Sequence, residues 1–180
     1  MDEIVKAALR KWPHVPHCHG WLALDGRGDW YMRDDRAQAA GPFPQVRGSR
    51  IEHDKLRAFI ERNYGPDEAG AWFFQNGPQR AYVDLEVTPL VWRLHRASDG
   101  ATEVVSHHGL RAEAVTGVWL DEQGRLYLQT PQGFGLVHGQ DMDAAADQVL
   151  GGQWKPQTMT SALMPARFGY VLRPRPAPLA

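Results

Sequence analysis

Two stretches of this 180-residue chain repeat one another in order, and that repetition restricts the fold more than any other feature. Gly20-Trp21-Leu22-Ala23-Leu24, the turn Asp25-Gly26-Arg27-Gly28, and Asp29-Trp30-Tyr31-Met32 read as a β-hairpin. Glycine supplies positive φ in the turn, and aromatic residues favour a pleated surface. Gly117-Val118-Trp119-Leu120, Asp121-Glu122-Gln123-Gly124 and Arg125-Leu126-Tyr127-Leu128 read the same way. Each hairpin precedes a short strand, Val46 to Ile51 in one copy and Gly135 to His138 in the other. Each strand precedes an amphipathic helix. Leu56, Phe59, Ile60 and Tyr64 make one apolar stripe; Met142, Ala145, Ala146, Val149 and Leu150 make the second. Ser49 and Glu52 stand at capping-box spacing for the first helix, with a start near Asp54 as the other option. Asp141 is the expected cap of the second, and Gly151-Gly152 its end.

Further strands follow the first helix: Ala71 to Phe74, Arg80 to Val87, Leu90 to His95 and Thr102 to Ser106. Tyr82 and Asp84 face opposite to Val83, Leu85 and Val87, the alternation of a half-buried sheet. Pro78-Gln79-Arg80-Ala81-Tyr82-Val83 is echoed by Pro165-Ala166-Arg167-Phe168-Gly169-Tyr170-Val171. Trp21 with Trp119, Tyr31 with Tyr127, the two helices, and this last pair lie 98, 96, about 86 and 87 to 88 positions apart. The offset shrinks because the second copy lacks the loop around Gly41 to Pro44. The expected fold is α+β: two repeated units of antiparallel hairpin, strand, helix and returning strand, packed as one pseudo-symmetric body. The expected boundaries are 1–19 for an N-terminal helix and His-rich linker, 20–108 and 109–172 for the repeats, and 173–180 for a Pro-rich extended tail.

Composition excludes several classes. Twenty basic against 21 acidic side chains give no electrostatic case for a nucleic-acid or anionic-membrane partner. A single cysteine forbids an internal disulfide framework and suits reducing cytosol. No apolar run approaches the roughly 18 to 20 residues of a membrane helix. The first twelve residues read as a docking helix, with Ile4, Val5, Ala8, Leu9 and Trp12 at helical spacing, rather than a secretory leader.

The segment Gly70-Ala71-Trp72-Phe73-Phe74, the run from Pro78 to Leu90, and Gly48-Ser49-Arg50-Ile51 with Leu56 together resemble an uncharacterised bacterial family of unknown function whose members carry repeated β-strand and helix motifs. The likeness spans roughly residues 20 to 150. It implies the repeated architecture and a link to signal transduction through ligand or protein binding, and it brings no catalytic residues.

Three sets of side chains are candidates for chemistry. His14, His17, Cys18 and His19 offer imidazole and thiolate ligands that suit Zn²⁺, although the spacing matches no standard finger and His17 and His19 would share a strand side without Cys18. Ser106 beside His107 is half of a hydrolase pair, with no nucleophile elbow around it. A small hydrolase or transferase is therefore one alternative and a metal-binding protein another. The lead comes from the aromatics. Neighbours on a strand point to opposite faces, so Trp72, Phe73 and Phe74 place aromatic surface on both. With Arg80, Arg33 and Arg93 near such strands, Trp72 and these arginines are the expected lining of a groove for an anionic or aromatic small molecule or a protein partner. The acids Asp25, Asp29, Asp34 and Asp35, interleaved with arginines, read as a solvated hairpin with surface ion pairs. No cofactor is expected outside the zinc alternative. The sequence predicts a non-enzymatic binding or sensing module.

Overall fold

A computed structural model describes residues 1–12, 15–98 and 100–176. The chain divides into two compact units, each with its own six-stranded mixed sheet. The first unit holds residues up to Asp25, then Asp29–Glu86 and the chain from Gly169; the second holds Gly26–Gly28 and Val87–Phe168.

In the first unit, helix α1 (Glu3–Lys11) precedes the hairpin of β1 (Cys18–Leu24) and β2 (Trp30–Met32). A short helix α2 (Asp35–Ala40), strand β3 (Ser49–Arg50) and helix α3 (Asp54–Arg62) follow, then the meander β4 (Tyr64–Pro66), β5 (Trp72–Asn76) and β6 (Gln79–Leu85). The sheet runs β3-β2-β1-β6-β5-β4, and β6 returns parallel to β1. In the second unit, β7 (Leu90–Arg96) and β8 (Thr102–Ser106) lead to the hairpin β9 (Gly117–Leu120) and β10 (Leu126–Thr130). Then come β11 (Gly133–Val137), α4 (Met142–Leu150), β12 (Gln157–Thr158) and α5 (Met164–Phe168). That sheet runs β12-β9-β10-β11-β7-β8, with β12 parallel to β9.

Both units therefore share hairpin, third strand, helix and a strand that returns parallel to the first. This is the α+β repeat expected from the sequence. The first unit extends its sheet beyond the returning strand with β5 and β4; the second extends beyond the third strand with β7 and β8.

Two of the proposed correspondences change. Tyr31 pairs with Ala23 and Tyr127 with Trp119, so the counterpart of Trp119 is Ala23 and not Trp21. Trp21 is 42% exposed, whereas Trp119 is buried. The two tryptophans match in residue type, but Trp21 stands four residues before its turn aspartate and Trp119 two. One offset of 96 relates Asp25 to Asp121, Gly28 to Gly124 and Tyr31 to Tyr127, and both glycines take the positive φ of the turn, 84° and 75°. The echo of Pro78–Val83 at Pro165–Val171 does not hold either. The first is a hairpin turn leading into β6, whereas Met164–Phe168 is the helix α5; the counterpart of β6 is β12.

Helix starts follow their hydrogen bonds. α3 begins at Asp54, and His53 Nδ1 accepts from Leu56 N, so the Ser49–Glu52 box is not used. Asp141 does not cap α4: its carboxylate takes the Arg93 guanidinium at 2.6 and 3.1 Å and the Leu94 N–H at 3.1 Å. Of the α1 stripe only Val5 is buried, while Ile4 and Trp12 stand in solvent. Arg173 to Pro176 do not form a free tail. Arg173 donates to Leu85 O and to Phe43 O, and Pro174 is buried. Residues 177–180 lie outside the described residues.

Asp25 is 1% exposed, so it does not belong to a solvated surface. Its Oδ1 accepts the Asp29 N–H at 2.9 Å, and its Oδ2 accepts from Tyr31 Oη at 3.1 Å and Arg47 Nη1 at 2.8 Å. Asp34 caps α2 through the Ala37 N–H at 2.8 Å. Asp29 is the acid that keeps the expected surface pairing, with Arg50 at 2.7 Å.

Candidate ligand-binding site

Strand β6 organises the first unit. Parallel pairing sets Cys18 beside Ala81, Leu22 beside Val83 and Ala23 beside Asp84. Strand alternation then directs Cys18, Leu22 and Ala81 to one face and His19, Tyr82 and Asp84 to the other. The register shifts between Cys18 and Leu22, a bulge that brings both Trp21 and Leu22 to the first face. That face lies under α3, where Phe59 meets Phe74 edge-on at 5.4 Å and Ile60 is buried.

Packing under α3 is incomplete and leaves a cavity of about 490 Å³. Trp21, Leu22, Met32, Leu56, Phe59 and Phe74 give it apolar walls, and the amides of Asn76 and Gln79 are its polar contribution. Gln79 Nε2 donates to Pro16 O at 2.9 Å, which holds the amide. Cys18 also lines the cavity, and burial pushes its thiol above the ordinary range, so it stays protonated and apolar in character at neutral pH. Three wall residues are large apolar side chains left in solvent: Trp21 at 42%, Met32 at 49% and Leu56 at 37% exposure.

The expected site residues separate. Trp72 is buried on the α3 side against Tyr64, 4.7 Å between ring centroids. Arg80 lies over the Phe73 ring at 4.4 Å on the opposite face, so the two faces do share the aromatics as alternation requires. Arg33 is buried and ties the loop after α2, donating from Nε to Val46 O at 3.1 Å and from Nη2 to Gly41 O at 2.5 Å. Arg93 belongs to the second unit, bound to Asp141. Among the described residues, no group of three or more His, Cys, Asp and Glu side chains is arranged to hold a metal. His17 Nδ1 accepts the Arg80 N–H at 3.4 Å, and the His19 ring stacks on Tyr82 at 4.6 Å, while Cys18 turns to the cavity. Burial, followed by the charge of Arg80, lowers the His17 pKa; burial, followed by the neighbouring His17 and Arg175, lowers that of His19. His14 lies outside the described residues.

Ser106 pairs with His108 rather than His107, its Oγ 3.0 Å from Nδ1. The same oxygen accepts the Leu110 N–H at 2.9 Å, and Ser106 is buried, so the hydroxyl closes the turn after β8. His107 Nδ1 accepts the Val91 N–H at 3.2 Å beneath the same turn. Burial lowers the pKa of both rings, His108 to about 4, and holds them neutral at pH 7.

A family model described as "Protein of unknown function (DUF2946)" matches residues 1–175. The chain belongs to this family. For DUF2946 the resemblance read from the Trp72 and Arg80 strands, to an uncharacterised family of unknown function, is met. A DUF1285 family protein from Silicibacter pomeroyi DSS-3 is similar in structure, with a TM-score of 0.53 and 13% identity over 82% of this chain and 84% of its own. One from Shewanella baltica OS155 has a TM-score of 0.49 and 15% identity over 71% of this chain and 91% of its own. At such identity the former bears on the fold alone. No curated protein matches the sequence. No helix among the described residues is long and apolar enough to cross a membrane.

Proposed function

We propose that the chain is a non-enzymatic binding module that takes a small, largely apolar molecule with one hydrogen-bonding end into the cavity under α3. One observation carries the reading: Trp21, Met32 and Leu56 are all exposed and all line one cavity of about 490 Å³. Scattered apolar side chains in solvent need no explanation, but three on one concave surface mark a binding face. The volume suits a small ligand, and Asn76 and Gln79 supply the few polar contacts that fix orientation. A sensing role in signal transduction, in the cytosol, is the biological form of this reading, with the bound molecule as the signal.

Thermal unfolding with 1-decanol and with decanoate tests the proposal. Ligand bound only to the folded state raises Tm by mass action. Wild type is expected to gain several degrees with at least one probe. Ala81→Phe, which fills the cavity from β6, is expected to gain none. Failure of both probes to stabilise wild type, or equal stabilisation of Ala81→Phe, contradicts the reading.

A further inference from the structure

The opposite face of the same sheet carries a second cavity, of about 480 Å³, lined by His19, Arg33, Gln38, Asp84 and Arg175 among others. Asp84 is 1% exposed, and its two carboxylate oxygens are treated unequally. Oδ1 accepts from Arg175 Nη1 at 3.0 Å. Oδ2 is buried without a hydrogen-bond donor; the Arg33 guanidinium stands 3.7 Å away, beyond hydrogen-bond distance. Arg33 does not turn towards it, because its Nε and Nη2 are committed to the carbonyls of Val46 and Gly41. A buried carboxylate oxygen without a donor is costly, and such a group in a cavity wall calls for a donor from a ligand.

Arg175 completes the complement. Its side chain is 56% exposed, and the bond to Asp84 uses one nitrogen of the guanidinium fork, leaving an edge able to hold a carboxylate in two-point contact. An acceptor and a donor thus stand side by side. Two arginines against one aspartate also leave the cavity one positive charge in excess, which favours an anion. The His19 ring, flat against Tyr82, forms one wall.

We propose that this cavity binds a small carboxylic acid bearing an adjacent amino or hydroxyl group, its carboxylate on Arg175 and its amino or hydroxyl hydrogen on Asp84 Oδ2. The site goes beyond the apolar cavity, lies on the other face of the sheet, and stands or falls separately.

Titration calorimetry on the full chain with glutamate, alanine, malate and lactate is the test, with acetate and methylamine as half-ligands. At least one of the four acids is expected to bind, and each half-ligand to bind it at least about tenfold more weakly. Preference between amino and hydroxy acids identifies the donor. Arg175→Gln, a change at an exposed side chain, is expected to weaken the best acid by about tenfold or more. Arg80→Gln, on the same sheet face but not in this cavity, is expected to leave it unchanged. Absence of binding by all four acids, half-ligands that bind equally well, or an Arg175→Gln variant of undiminished affinity overturns the assignment.

Discussion

The turn at Asp25 and the turn at Asp121 use one device with different reach. In each hairpin a buried aspartate accepts a backbone N–H four residues on and a tyrosine hydroxyl six residues on. Asp121 adds the Gln123 N–H and the Arg125 guanidinium, so its arginine comes from within the hairpin itself. Asp25 draws on Arg47, 22 residues away and beyond α2. Burial opposes the charged form of Asp121, but the N–H, tyrosine and arginine donors outweigh it and hold the carboxyl below its usual range. A repeated turn can therefore be a self-contained lock in one unit and an anchor for a long loop in the other. The sheet positions beside the turns differ in the same sense. Trp119 meets Phe168 of α5 at 5.4 Å, and Phe168 stacks on Phe134 at 3.8 Å. At the position matching Trp119 the first unit has Ala23, and Phe43 of the long loop packs there with Tyr31.

The largest expected effect tests this substitution of loop for strand. Phe43→Ala and Trp119→Ala each remove a buried aromatic and should cost about 4 kcal/mol in urea unfolding. A near-neutral Phe43→Ala breaks the analogy. Next, Asp25→Ala and Asp121→Ala each leave a tyrosine hydroxyl and a backbone N–H without their acceptor, at a cost of about 3 kcal/mol. Hydrogen exchange should then separate them: Asp25→Ala speeds exchange at the Val46 amide in the loop after α2, whereas Asp121→Ala acts within its own hairpin. Equal, purely local effects would deny the difference in reach.

Acidification gives a smaller effect, and His108 carries a distinct share of it in the second unit. His108 has a folded pKa near 4, below its unfolded 6.5, so the unfolded state binds the proton first and stability falls as pH drops through that window. The share from His108 should be about 2 kcal/mol between pH 8 and pH 5. His108→Asn should make the slope shallower, with His107, His17 and His19 left to supply the rest, and an unchanged slope counts against the burial of this ring. Arg47→Ala is the mildest change, about 1 kcal/mol, because the arginine is substantially exposed and Asp25 retains Asp29 N and Tyr31.

The repeat was legible because hairpin turns are written locally, in Asp, Gly and Tyr at fixed offsets. Its register was not, because residue type matches Trp21 to Trp119, whereas pairing across each hairpin sets Ala23 in that place. In the α5 segment Arg-Phe-Gly-Tyr suits a strand, and tertiary packing on Phe134 decides for a helix. For the site, the placement of aromatics on both sheet faces followed from alternation alone. Nearness of the arginines in sequence does not reveal that Arg33 is consumed by loop carbonyls and Arg93 by Asp141. Alternation gives Asp84 its face, and an acid between Val83 and Leu85 in a strand is itself a signal of a role.

Chemical-shift mapping during titration with 1-decanol addresses the apolar cavity most directly, because it reports position as well as binding. Shifts gathered on Trp21, Leu56, Phe59, Phe74 and Ala81, with Trp119 and Phe134 unmoved, are the predicted outcome. A response centred on the aromatic cluster of the second unit, or none at saturating alcohol, contradicts the assignment of binding to the face beneath α3.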